Sequence, residues 1–103
     1  MIRVRFNIGQ EGGIVGFNVS NHGDKIVCAA VSALTINAIN SIERLASTVF
    51  SCEYENERFI DFCLTDEPDV NTKLLLESLR LGLHSIAEEH PEEVDIEEIS
   101  VVK

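Results

Sequence analysis

A chain of 103 residues, 45% of them hydrophobic, can bury roughly two-thirds of its unfolded surface in one domain without disulfide support, and a single domain is expected over residues 1–103. The formal net charge of -10, from 18 acidic against 8 basic residues, argues against direct nucleic-acid binding and would draw a basic partner at long range, although like charge also simply keeps soluble domains apart. Three cysteines without a CxxC pair argue against a secreted disulfide framework and a structural zinc site, so a reducing cytoplasm is the expected compartment.

No continuous apolar run reaches the ~18 residues that a bilayer span needs, and the alternating start MIRVRFNIGQ is unlike a targeting segment, so no membrane contact is expected. Ile2, Val4, Phe6 and Ile8 alternate with Arg3, Arg5 and Asn7 as in a half-buried strand. Val15, Phe17 and Val19 repeat the pattern beyond Gly9–Gly13, which predicts a hairpin. From Asp24, a candidate N-cap, apolar residues Val27, Val31, Leu34, Ala38, Ile42 and Leu45 recur every three or four positions and predict a helix ending near Ser47 or Thr48. Phe50–Tyr54 and Phe59–Leu64 predict a second hairpin, joined through Glu55, Asn56, Glu57 and Arg58.

Glu67-Pro68-Asp69 then breaks the strand and starts a second helix, with Leu75, Leu79, Leu83 and Ile86 on its buried side. His90-Pro91 ends it, because the residue before proline is pushed out of the helical region. In the last strand Val94 and Ile96 face one way, and the Glu97-Glu98 pair interrupts the alternation before Ile99 and Val101, which predicts a bulge. The order β-β-α-β-β-α-β suits an α/β two-layer sandwich, a mostly antiparallel sheet with two helices on one face.

The segment His22-Gly23-Asp24-Lys25-Ile26-Val27-Cys28-Ala29-Ala30-Val31-Ser32 sets an imidazole and a thiol on either side of the first helix start. The unpaired N–H groups and positive dipole end of a first helical turn favour an anion, so a thiolate forms there more easily, and a nearby imidazole adds to this. A His and a Cys with five residues between them are weak grounds alone, because free cysteine is usually buried and inert. The helix start strengthens them. A Cys-His pair needs only thiol and imidazole within hydrogen-bond reach, and the first-turn N–H groups after Gly23 are candidate oxyanion donors.

Other chemistry-bearing residues read more plainly. Cys52 and Cys63 lie in strand runs and are expected in the core, while His84 and His90 are expected to be structural or solvated. Ser32 either hydrogen-bonds in the active-site region or bonds back to the carbonyl one turn earlier. Asn37, Asn40 and Arg44 form a polar stripe facing solvent or a second copy, and Glu88-Glu89 and Glu92-Glu93 read as solvated charge or as an attraction for a basic protein.

Val19-Ser20-Asn21-His22 followed by Gly23 through Ser32 resembles the signature of the ribosomal-processing cysteine proteases: a Gly-His-Ala turn, a loop, then Gly-x-Asp-Ile-Val-Cys-Ala-Ala-x-Ser. The likeness is most specific at Ile26–Ser32, and it continues through Ala33-Leu34-Thr35-Ile36-Asn37-Ala38-Ile39-Asn40-Ser41-Ile42-Glu43 and in the element order. Asn21 stands at the family's glycine, Gly23 at its alanine, and Lys25 at its aspartate with Asp24 displaced by one position; the loop from His22 to Cys28 is also shorter. The resemblance implies a cytoplasmic cysteine endopeptidase with Cys28 as nucleophile, His22 as general base, and Asp24 and Ser32 in support. It implies no metal or organic cofactor. The implied substrate is the N-terminal extension of a basic bacterial large-subunit ribosomal protein, cut after a hydrophobic segment ending in phenylalanines, and the implied assembly is a homodimer. The rival reading is a non-enzymatic module of the same fold that holds a basic ribosomal protein through its acidic surface.

Overall fold

The structure is a computed structural model that describes residues 1–55 and 59–101, so Asn56, Glu57 and Arg58 of the expected hairpin connection lie outside the described residues. Alternation turns Ile2, Val4 and Phe6 of β1 (Ile2–Ile8) to the buried face and Arg3 and Arg5 to the other. β1 leads through a tight turn into antiparallel β2 (Ile14–Ser20), with the Gly9 N–H donating to the Gly13 carbonyl at 2.9 Å. Gly12 sits in that turn at φ 86°, a left-handed conformation that glycine adopts without strain. β3 (Phe50–Glu55) pairs antiparallel with β4 (Phe59–Leu64), β4 pairs antiparallel with β2, and β5 (Val94–Ser100) runs parallel to β1. The sheet order is β3-β4-β2-β1-β5.

Helices α1 (Lys25–Leu45) and α2 (Val70–Glu89) pack on each other and on the apolar sheet face. Val31, Ala38 and Ile42 of α1 and Leu76, Leu79 and Leu83 of α2 join Phe6, Phe17 and Phe62 in one buried cluster. The rings of Phe17 and Phe62 stack with centroids 4.9 Å apart. Where the helices approach each other, a Cβ on Gly82 would stand 2.9 Å from Leu34 Cδ1, so a larger residue there would displace the tip of that side chain. This is the expected two-layer α/β sandwich. Although the 21 residues of α1 are long and apolar enough to cross a membrane by length and composition, which a search for continuous apolar runs does not reveal, its buried residues belong to the sheet's core.

Several boundaries and faces differ from the periodicity. α1 stops at Leu45 because Ala46 turns into extended backbone, and Leu45, expected inside, is 72% exposed as the helix's last residue. Thr35 and Ile39 are buried instead; the Thr35 hydroxyl bonds back to the Val31 carbonyl and so enters the core satisfied. On α2 the buried positions are Thr72, Leu76, Leu79 and Leu83, with Leu75 and Ile86 only partly covered.

β5 has no bulge: it pairs with β1 in unbroken register from Ile2↔Val94 to Ile8↔Ser100, which turns Glu98 toward α2. The irregularity lies in β2, where the register passes from Asn7↔Gly16 to Ile8↔Ile14 and gives β2 one extra residue. Cys63, expected in the core, is exposed, because Ile60, Phe62 and Leu64 face the helices and the strand period of two sends Cys63 to the opposite face. Cys52 packs against the core as expected.

Candidate active site

β2 ends at Ser20, and the chain turns through Asn21, His22 and Gly23 into α1. Asn21 has φ 72°, in the left-handed region that asparagine tolerates better than most residues with a side chain. Asp24 caps the helix: its Oδ2 accepts the Ile26 N–H at 3.0 Å and the Val27 N–H at 3.3 Å, and its carbonyl accepts the Cys28 N–H at 2.8 Å. Cys28 is thus in the opening turn, half-buried, with its thiol folded back on Gly23. The Gly23 N–H donates to Sγ at 3.3 Å, and the thiol faces the Gly23 carbonyl at 3.8 Å.

Gly23 is in turn gripped from its outer side. The Met1 nitrogen donates to the His22 carbonyl at 2.9 Å. Glu93, in the turn before β5, accepts the Asp24 N–H on Oε2 at 2.7 Å. A Cβ on Gly23 would overlap that same Oε2 atom. Glu93, which in sequence reads as solvated charge or an attraction for a basic protein, arrives from 69 positions beyond Asp24, and no spacing pattern connects the two.

The turn brings His22 and Cys28 to one junction with the His22 side chain exposed, and among the described residues no hydrogen bond joins its ring to the thiol. Asp24 serves as the cap. Ser32, one turn beyond Cys28 and half-buried, makes neither expected bond among the described residues; Thr35 is the residue that bonds back along the helix. Most of the expected oxyanion donors after Gly23 are engaged, Asp24 by Glu93 and Ile26, Val27 and Cys28 by Asp24, which leaves Lys25 as the first-turn amide without a partner among the described residues.

No three His, Cys, Asp or Glu side chains among the described residues converge as metal ligands would. A cleft lined by Gly9, Gln10, Glu11, Thr65, Asp66 and Lys73 lies at the opposite end of β1 and β2 and contains none of the candidate residues. Burial pushes the Cys52 thiol up, against an opposing hydrogen bond with Tyr54 and with Asp61 and Glu53 adding to the rise, so Cys52 is a poor nucleophile.

Among known families, the one described as cysteine protease Prp matches residues 1–95. The chain belongs to this family. Its structure is similar to that of an essential ribosomal processing protease Prp from S. aureus in complex with a covalently linked product peptide, at 25% identity and a TM-score of 0.90, over 95% of this chain and 99% of that one. The same S. aureus protease in complex with a substrate peptide shares the fold at 24% identity and a TM-score of 0.88, with the same coverage of 95% and 99%. SMU.848 from Streptococcus mutans is similar at 27% identity and a TM-score of 0.82, over 98% of this chain and 99% of that one. No curated protein sequence matches the chain. Membership of Prp makes the enzyme class cysteine protease.

Proposed function

We propose that this Prp-family protein is an endopeptidase that removes the N-terminal extension of a ribosomal protein, with Cys28 as nucleophile and His22 as general base. The observation that carries this reading is the thiol of Cys28 at a helix start, with the Gly23 amide on its sulfur, in a fold shared with a S. aureus ribosomal processing protease bound to a covalently linked product peptide.

In the proposed reaction His22 takes the thiol proton, and the thiolate, favoured by the Gly23 N–H and the helix dipole, attacks the scissile carbonyl carbon. The carbonyl π electrons move to oxygen, for which the Lys25 N–H is the candidate donor. As that oxygen re-forms its double bond, the C–N bond breaks, the His22 proton passes to the leaving amine, and a thioester remains on Cys28. A water deprotonated by His22 then releases the acid and restores the thiol. The reaction requires the exposed His22 ring to close on the thiol in the substrate complex, as catalytic hydrogen bonds that are loose beforehand often do.

The test is cleavage of a peptide carrying the hydrophobic, phenylalanine-ended extension. Cys28→Ala should abolish it while the far-UV spectrum and melting temperature stay near those of the wild type, because alanine suits a helical turn. Turnover by the alanine variant, or a Cys28 that alkylates no faster than exposed Cys63, would leave only a binding module.

The proposal extends to a cytoplasmic homodimer. Three free cysteines suit a reducing compartment, and Val70, Leu74 and Leu81 stand 79%, 68% and 72% exposed along one side of α2. Sedimentation at micromolar concentration should give twice the 11.4 kDa chain mass, and a strictly monomeric species would exclude the dimer.

A further inference from the structure

We infer that Glu93 is a positioning residue for the Cys28 thiol, acting through the peptide unit between Gly23 and Asp24; for its effect on turnover this rests on the proposed peptidase reading. A peptide unit is planar, so fixing its N–H fixes the direction of its carbonyl. Glu93 Oε2 holds the Asp24 N–H at 2.7 Å, and the carbonyl at the other side of that unit is the Gly23 oxygen that faces Sγ at 3.8 Å. The preceding unit is arranged alike: its carbonyl, on His22, is held by the Met1 nitrogen at 2.9 Å, and its N–H, on Gly23, points at Sγ at 3.3 Å. Both units flanking Gly23 are therefore tied at their outer ends and turned toward sulfur at their inner ends.

The anchor is itself fixed. The Glu93 N–H donates to the His90 carbonyl at 3.0 Å, and the Glu93 carbonyl accepts the Ile2 N–H at 2.8 Å, so the carboxylate extends from backbone held on both sides. Its reach requires the missing side chain of Gly23, since a Cβ there would overlap Oε2. Gly23 does not have a positive φ, so alanine at that position brings no backbone strain of its own, and its main consequence is to evict the carboxylate. The charge of Glu93 opposes a neighbouring thiolate. The benefit is thus geometric, and a neutral acceptor of the same length conserves it.

Four variants test this in a Cys63→Ser background: Glu93→Ala, Glu93→Gln, Gly23→Ala and the Gly23→Ala/Glu93→Ala pair, each read by the pH profile of Cys28 alkylation and by kcat and KM on the extension peptide. Glu93→Ala should lower kcat on the order of tenfold with KM little changed, as a small misplacement of a reacting group does, and move the alkylation profile to lower pH, because the Gly23 carbonyl that Glu93 aims at sulfur accepts from the neutral thiol. Glu93→Gln should restore most of both. Gly23→Ala should mimic Glu93→Ala, and the double variant should be no worse than either single one, because both remove the same contact. Additive losses, a glutamine as poor as alanine, or profiles unmoved in all four would overturn the assignment. Should Glu93→Ala fail to fold, the glutamine and Gly23→Ala variants still decide it. A wild type that does not cleave the peptide would defeat the peptidase reading alone, since the alkylation profiles report on Glu93 without it.

Discussion

In the proposed reaction the His22 ring and the Gly23 amide act on the Cys28 sulfur in separable ways. The amide and the helix start can favour a thiolate without an imidazole, whereas only the imidazole can deliver a proton to the leaving amine. His22→Ala should therefore slow alkylation of Cys28 at neutral pH modestly, yet cut peptide turnover by roughly 10²- to 10⁴-fold, the usual range for a lost general acid–base group. Labelling must be followed residue by residue, since Cys63 is exposed as well, while burial pushes the Cys52 thiol up. Undiminished turnover in the alanine variant would return His22 to the standing of an ordinary loop residue. The junction that carries both residues was legible in the sequence because it is local: a turn, a capping aspartate and a cysteine fall within eight consecutive positions, Asn21 to Cys28. Glu93 was not, because contact across 69 positions depends on β5 lying beside β1, which local periodicity does not specify.

Between elements, the clearest ionic contact is the one that joins β5 to α2. Glu98 accepts from Arg80 Nε at 2.8 Å and lies 3.0 Å from His84 Nε2, with Arg80 also reaching Glu77 at 3.2 Å. The Arg80 guanidinium holds the Glu98 carboxyl below its usual value of 4.5, against an opposing effect of burial and with a further lowering by His84. A carboxyl lowered on folding contributes stability above its unfolded value and loses it as the pH falls through its folded one. Glu98→Gln should thus reduce unfolding free energy by about 1 kcal/mol at most near neutrality, given a side chain 28% exposed, and the gap from wild type should close below 4.5. Urea titrations at several pH values read this directly; a gap independent of pH would mean that the ion pair adds nothing. In sequence the Glu97-Glu98 pair looks like a break in the strand, because alternation alone assigns a charge to the solvent side. The missing information was the (i, i+4) pair Arg80 and His84 on α2, which gives a carboxylate on the helix side a partner. The Glu67-Pro68-Asp69 break was easier to read as a helix start, and there the Asp69 carboxylate accepts the Thr72 N–H at 2.7 Å while also tying down the Ser47 N–H at 2.9 Å.

Across the whole molecule the charge is uneven. On the open sheet face Arg5 pairs with Glu97 at 2.9 Å and Arg3 lies 4.0 Å from Asp95, so both arginines of β1 are already matched. The excess behind the net charge of -10 includes Glu88, Glu89 and Glu92, exposed from the end of α2 to the turn that carries Glu93. That turn reaches the Cys28 junction through the Asp24 N–H, so an acidic surface borders the proposed site and would attract the basic substrate of the proposed reaction. Screening shortens from about 30 Å at 0.01 M salt to about 10 Å at 0.1 M, which removes long-range attraction but leaves contacts within the site. Raising salt over that range should lower kcat/KM for the intact basic protein on the order of tenfold, through slower encounter, and leave a short uncharged extension peptide nearly unaffected. Equal salt dependence for both substrates would assign the acidic turn to solubility alone and confine recognition to the residues around Cys28.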